Sequence, residues 1–165
     1  MLSGRAMRSE DLLLLIGKLN YTWTNTESLL IYLMAFLMRT GKDVAIVTFL
    51  TFNTSRARLD FIERLLKLGS TDPEIRSRLM PVVARMKKAA HVRNKYNHCI
   101  YSFDENGEIE ATQLLRIADY GDTLRYGKIE AIDDAEIERI DGAMSDIVSI
   151  NRSIFDFIRE NNIRY

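Results

Sequence analysis

The sequence predicts a mainly α-helical protein, an up-and-down four-helix bundle with a small antiparallel β insertion before the last helix. Apolar residues recur with the helical period over most of the chain, and only two prolines and eight glycines interrupt it. One later segment, at about 99–131, has the composition of strands instead. A length of 165 residues is sufficient for one hydrophobic core and too short for two. We therefore expect a single domain over residues 1–165.

The first two predicted helices cover 10–39 and 43–68. Leucine, isoleucine and aromatic residues recur at three- and four-residue steps through both ranges. Ser9 is the predicted N-cap of the first helix, because a serine oxygen accepts hydrogen bonds from the free backbone N–H groups of a first turn. Gly41 and Gly69 follow the two predicted helix ends.

The third helix is predicted at 73–98, after the sequence STDPEI, which places capping residues and a proline at a helix start. Pro81 lies inside this helix and is expected to bend it. The segment that follows predicts an antiparallel hairpin around the turn sequence DENG, with a third short strand before residue 131. Helical spacing returns over 133–160, which is the predicted last helix.

The charges are balanced over the whole chain but not along it. The protein has 23 basic and 23 acidic residues, which argues against a surface that binds nucleic acid everywhere. Residues 74–98, however, hold seven Lys/Arg against one acid, and residues 104–146 hold thirteen Asp/Glu against four Lys/Arg. The basic segment predicts either an anion-binding face or, with the acidic segment, two solvated faces that partly neutralise each other.

The single cysteine and the length of the longest apolar stretch indicate the cellular location to expect for the protein. Cys99 is the single cysteine, and no Cys/His cluster has the spacing of zinc ligands, so we expect a cytoplasmic protein without a metal or cofactor. The stretch LLIYLMAFLM at 29–38 covers about half a membrane span, so no membrane association is expected. Its apolar face is nevertheless broad, which predicts a homodimer that buries helix surface.

The stretch RNKYNH carries the candidate catalytic residues Arg93, Asn94 and His98, at the predicted change from helix to strand. RNA cleavage by the substrate's own 2′-hydroxyl needs a proton acceptor, a proton donor and a cation for the developing phosphorane charge. Histidine transfers protons near neutral pH, and the arginine fork matches phosphate oxygens. Since this reaction needs two proton-transfer groups, a second His98 from a twofold-related copy is the expected partner.

This motif is similar to that of the HEPN superfamily, in which four to six residues separate an arginine, commonly followed by a polar residue, from a histidine. The resemblance includes the bundle, the motif near the end of a late helix, and the pattern WTNTE (Trp23 and Glu27) in a long first helix. It implies a dimer with facing motifs and a metal-independent ribonuclease of the toxin–antitoxin or phage-defence type. Other members are inactive RNA-binding or interaction modules. The β insertion departs from the family pattern.

The neighbours of the motif are candidate RNA contacts. Lys95 is a further cation, Tyr96 is able to stack on a base, and Asn97 is able to bind substrate or to cap the helix. An alternative role for Tyr96 is packing in the core. An alternative role for His98, at the helix end, is a hydrogen bond to a backbone carbonyl.

Two ion pairs compete with the functional interpretation. Arg93 would be structural if it paired with a helix carboxylate such as Glu27 or Asp60. Glu27, buried next to Trp23, needs a cation, for which Arg56 or Arg58 is the candidate. The alternative function is a non-catalytic interaction module whose basic helix binds an antitoxin or another acidic protein.

Overall fold

The structure is a computed structural model that describes residues 8–164. Five helices, rather than the three predicted, are followed by a β insertion and a long last helix. The predicted mainly helical class is confirmed, and the four-helix count is not. The helices are α1 (Ser9–Glu27), α2 (Leu30–Met38), α3 (Lys42–Thr51), α4 (Ser55–Leu66), α5 (Pro73–Asn97) and α6 (Asp134–Glu160). The strands are β1 (Cys99–Phe103), β2 (Ile109–Leu114), β3 (Ile117–Tyr120), β4 (Thr123–Tyr126) and β5 (Ile129–Ala131).

The first predicted helix is two helices, because the backbone tightens after Glu27. The N–H of Leu29 donates to the carbonyl of Thr26, and the N–H of Ile31 donates to that of Ser28, at 3.1 and 3.2 Å. These are three-residue bonds of the 3₁₀ type, which end α1 before α2 begins. The apolar period continues across this break, so periodicity alone does not reveal it.

The second predicted helix is also interrupted, at residues 52–54. Phe52 is extended, with φ −80° and ψ 114°, and ends α3. Thr54 is the N-cap of α4, and its hydroxyl accepts from the N–H of Ala57 at 3.1 Å. The sequence NTS contains this capping signal. The prediction of one continuous helix is therefore wrong here.

Ser9 is the first residue of α1 rather than its N-cap, which is Arg8. Both the backbone N–H and the hydroxyl of Ser9 donate to the Glu108 carboxylate at 2.6 Å. The hydroxyl also accepts from the N–H of Ile109 at 2.7 Å. Ser9 thus attaches the start of α1 to the β insertion.

The insertion contains a three-stranded antiparallel sheet in the order β1-β2-β5 and a separate β3-β4 ladder. The predicted hairpin at DENG is confirmed: β1 pairs with β2 from Cys99 opposite Leu114 to Phe103 opposite Ile109. Gly107 supplies the left-handed turn position, with φ +79°.

The hydrophobic core lies between the long helices. α6 packs on α1 and α5, and α5 also packs on α4 and α1. The largest buried side chains include Trp23, Leu59, Met86 and Phe157. Among residues 8–164, no helix has the length and apolar character needed to cross a membrane.

Candidate functional site

The C-terminal end of α5 places the motif between helix and sheet. α5 begins at an Asp72 cap, whose side chain accepts from the N–H of Glu74 at 2.7 Å, and continues past Pro81 to Asn97. His98 is the C-cap, with φ −133° and ψ 42°, and its N–H donates to the carbonyl of Asn94 at 3.1 Å. The carbonyl of His98 accepts from the N–H of Leu115 at 3.0 Å. The backbone of His98 is therefore fixed on both sides.

Arg93 is held by amides. Its Nε donates to Oδ1 of Asn20 in α1, and its Nη1 donates to Oδ1 of Asn94, both at 3.0 Å. The amide of Asn97, oriented with its oxygen toward the guanidinium, accepts from Nη2 at 3.1 Å. These three neutral groups orient the guanidinium without neutralising its charge.

The two carboxylates considered as partners of Arg93 bind other cations. Glu27 lies 3.2 Å from Arg58, and Asp60 lies 2.6 Å from Lys87. No carboxylate within residues 8–164 forms an ion pair with Arg93. The interpretation of Arg93 as an ion-paired structural residue is therefore wrong, and the prediction that Arg58 pairs with Glu27 is confirmed.

His98 is exposed, and its imidazole forms no hydrogen bond or ion pair with any residue of the described chain, 8–164. It lines a groove of about 360 Å³ with His91 and Asn94 from α5, Arg116 from the insertion and Arg139 from α6. Arg93 does not line this groove. Asn94 connects the two, because it lines the groove and also accepts a hydrogen bond from Arg93.

The β insertion forms one wall of this groove and leaves His98 exposed. Leu114, Leu115 and Arg116 contribute to that wall. The backbone of Arg116 is fixed, because its N–H donates to the carbonyl of Leu114 and its carbonyl accepts from the N–H of Gly127, both at 2.8 Å. The Arg116 side chain has no partner within residues 8–164.

Gly127 packs directly on the segment that positions Arg116. A Cβ at this position would overlap the carbonyl oxygen of Leu114 and lie 2.9 Å from its Cβ. We expect Gly127→Ala to lower the free energy of unfolding by about 1–3 kcal/mol, the usual cost of overpacking. Gly17→Ala is the control, because nothing lies within 4 Å of a Cβ there and a helical Gly→Ala change stabilises by about 0.5–1 kcal/mol. Urea denaturation of both variants measures the difference, and equal midpoints would contradict the packing argument.

Lys95 and Tyr96, predicted as RNA contacts, are both buried, and only Lys95 lines the groove. Lys95 pairs with Glu136 at 2.6 Å and with Glu130, and the Tyr96 hydroxyl donates to Glu136. Burial raises the pKa of Glu136, but hydrogen bonds from Lys95 and Tyr96 outweigh it and lower that pKa overall. The two side chains thus attach α6 to the last turn of α5. Asn97, the third predicted contact, is exposed.

Sequence reasoning did not select Arg116 and Arg139 as site residues. Arg116 lies between two short strands, and Arg139 follows Glu136 by three positions in α6, so neither stands in a recognisable motif. His91, which also lines the groove, is exposed. The spacing His91-Asn94-His98 along one helix face was the available signal.

Comparison of the chain with protein-family models, with curated proteins and with solved structures gives no match. The site is therefore interpreted from its geometry and chemistry.

Proposed function

We propose that this protein is a HEPN-like, metal-independent endoribonuclease. The charge of Arg93 stabilises the scissile phosphate, His98 transfers a proton, and Asn94, which bonds to Arg93 and lines the groove of His98, connects the two. The observation that supports this most strongly is the Arg93 guanidinium, which three neutral amides hold. It lies less than one and a half helical turns from the His98 imidazole, which has no partner in the described chain. A structural arginine would instead be expected to share its charge with a carboxylate.

The chemistry follows from these two groups. The 2′-hydroxyl of the substrate attacks the adjacent phosphorus, so the protein has to move protons and stabilise the added negative charge. An unneutralised guanidinium attracts a phosphate in the ground state and more strongly in the transition state. An exposed imidazole at a helix end is accessible to the 2′-oxygen or the 5′-oxygen of a bound strand.

The setting proposed with this activity is a toxin–antitoxin or defence system of the cytoplasm, with RNA as substrate and an antitoxin as protein partner. The resemblance is supported by the packing of α6 on α1 and α5, and of α5 on α4. The breaks after Glu27 and at residues 52–54 leave α2 and α3 as short additional helices beside these four.

A non-catalytic interaction module is the second candidate function. The β3-β4 ladder supports it, because Ile117, Tyr120, Leu124 and Tyr126 are each more than half exposed on it. A two-stranded ladder is marginally stable alone. By its register, Ile117, Leu124 and Tyr126 share one face, and a contiguous exposed apolar set of this kind is typical of contact surfaces.

Cleavage of single-stranded RNA in EDTA tests the proposed function. We expect the wild-type protein to cut, and Arg93→Lys to bind and cut less well, because an ammonium cannot keep the separate hydrogen bonds that hold the guanidinium on Asn20 and Asn94. Arg152→Ala is the control, since Arg152 is exposed on α6 without a partner in the described chain. RNA bound without cleavage by the wild-type protein would favour the interaction module.

We also propose a homodimer. The predicted apolar stretch 29–38 is largely packed within the protomer, whereas Val44, Val47 and Leu50 form an exposed stripe on α3. Their three-residue spacing places them on one helix face. Light scattering at micromolar concentration is expected to give twice the chain mass of 19.1 kDa. A particle of 19.1 kDa would contradict the dimer.

A further inference from the structure

We propose that His91 is a second proton-transfer residue, which acts with His98 of the same chain on one RNA phosphodiester. This inference rests on the proposed ribonuclease function and adds to it the source of the second proton-transfer group. It also replaces the expectation that a second copy of the protein supplies that group.

Both histidines of the sequence line the same groove. Seven residues of α-helix correspond to nearly two turns and an axial distance of about 10 Å, and both side chains reach this groove. His98 is the C-cap and departs from helical geometry, with ψ 42°. Contacts of about 2.6–3.2 Å from each imidazole to a reacting oxygen fit within this span, with the phosphorus between them.

The two imidazoles are chemically available. Like His98, His91 is exposed, and its side chain forms no hydrogen bond or ion pair within residues 8–164. A histidine kept for structure normally donates to a carbonyl or carboxylate. Neither imidazole donates such a hydrogen bond in the described part of the chain.

The remaining charges of the groove suit a phosphate between the histidines. Arg116 is unpartnered in the described chain and enters from the insertion, and Arg139 enters from α6 with its side chain 48% exposed. Glu130 also lines the groove, but Lys95 binds it. Arg139 keeps one ion pair, with Glu136 at 3.0 Å. Within the described residues, the groove therefore presents two free imidazoles and the free guanidinium of Arg116 to an anion, while Arg93 remains outside the groove, bonded to Asn94.

A second groove, of about 580 Å³ between α5 and α6, shares Val92 and Arg139 with the first. Lys88 lines it and is exposed. The two grooves together offer a path longer than one nucleotide, which is consistent with a single RNA strand. Lys88 would contact the phosphate of the neighbouring nucleotide.

The reaction balances with these residues alone. One histidine takes the proton of the 2′-hydroxyl as the 2′-oxygen bonds to phosphorus. The bond from phosphorus to the 5′-oxygen breaks, and the other histidine gives its proton to that oxygen. The products are a 2′,3′-cyclic phosphate and a 5′-hydroxyl, and the two histidines return to their starting states by proton exchange with water.

The test compares His91→Gln with His98→Gln on one RNA, measuring kcat across pH 5–9. We expect each variant to lose at least about 100-fold in kcat. The bell-shaped wild-type profile should lose one limb in each variant. RNA affinity should remain within a few-fold of wild type, because glutamine keeps the size and polarity of the side chain. Lys18→Gln, at an exposed position on α1 without a partner in the described chain, is the control that keeps wild-type kcat.

His91→Gln with wild-type kcat and an unchanged bell-shaped profile would overturn the inference while leaving the proposed function intact. Recovery of cleavage on mixing the two variants would also overturn it, because the histidines would then act from different chains. A wild-type protein that does not cut RNA would overturn the proposed function itself. Melting temperatures of the variants show whether a loss of activity reflects folding.

Discussion

Glu27→Ala should lower the free energy of unfolding by about 3–5 kcal/mol, the cost of leaving a buried charge without its partner. The Glu27 carboxylate is 8% exposed and lies between α1 and α4. It accepts from Nε1 of Trp23 at 3.1 Å and lies 3.2 Å from Nη1 of Arg58. Without it, the half-buried Arg58 keeps, within residues 8–164, only its bond to the carbonyl of Phe49 and its contact with the Phe49 ring.

Urea denaturation measures this effect. Arg56→Ala is the control, because the Arg56 side chain is 90% exposed and pairs only with Asp60 at 3.7 Å among residues 8–164. A surface change of this kind is expected to alter stability by no more than about 0.5 kcal/mol. Equal denaturation midpoints for Glu27→Ala and Arg56→Ala would show that the Glu27 ion pair is not stabilising.

His98→Ala should lower RNA cleavage by about 100- to 10,000-fold, the usual contribution of a general acid or base. RNA binding and the oligomeric state should be nearly unchanged, because the imidazole is exposed and has no partner within residues 8–164. The backbone bonds of His98 to Asn94 and Leu115 do not depend on its side chain.

Cleavage rate, RNA affinity and melting temperature are measured together for this variant. If His98→Ala lowers only the melting temperature, the histidine is a structural helix end. The interaction module would then be the better interpretation of the protein.

The sequence predicts where helices and the hairpin begin better than it predicts the breaks inside two of the helices. The starts of α5 and α6 follow from Asp72 and Asp133, whose carboxylates cap them. The hairpin follows from its DENG turn. The break between α1 and α2 does not follow from periodicity, because apolar side chains continue through it. The break between α3 and α4 has a signal in the sequence, the cap Thr54, which the helical spacing on either side conceals.

The candidate site was likewise predicted in part: its motif residues were, and their contacts with distant segments were not. Local spacing identified Arg93, Asn94 and His98, and the change from helix to strand placed His98 correctly at the end of α5. The environment of each residue depends on distant segments, which spacing does not reveal. Asn20 in α1 holds Arg93, Arg116 enters from the insertion, and Glu136 in α6 binds both Lys95 and Tyr96.

The most direct test of the central claim is the identity of the RNA ends that the wild-type protein produces in EDTA. The same strand should also be supplied with 2′-deoxynucleotides at the cut positions. The account predicts 2′,3′-cyclic phosphate and 5′-hydroxyl ends from the RNA and no cleavage of the deoxy-substituted strand, because the nucleophile belongs to the substrate. Intact RNA, or cleavage that continues at the deoxy positions, would contradict it.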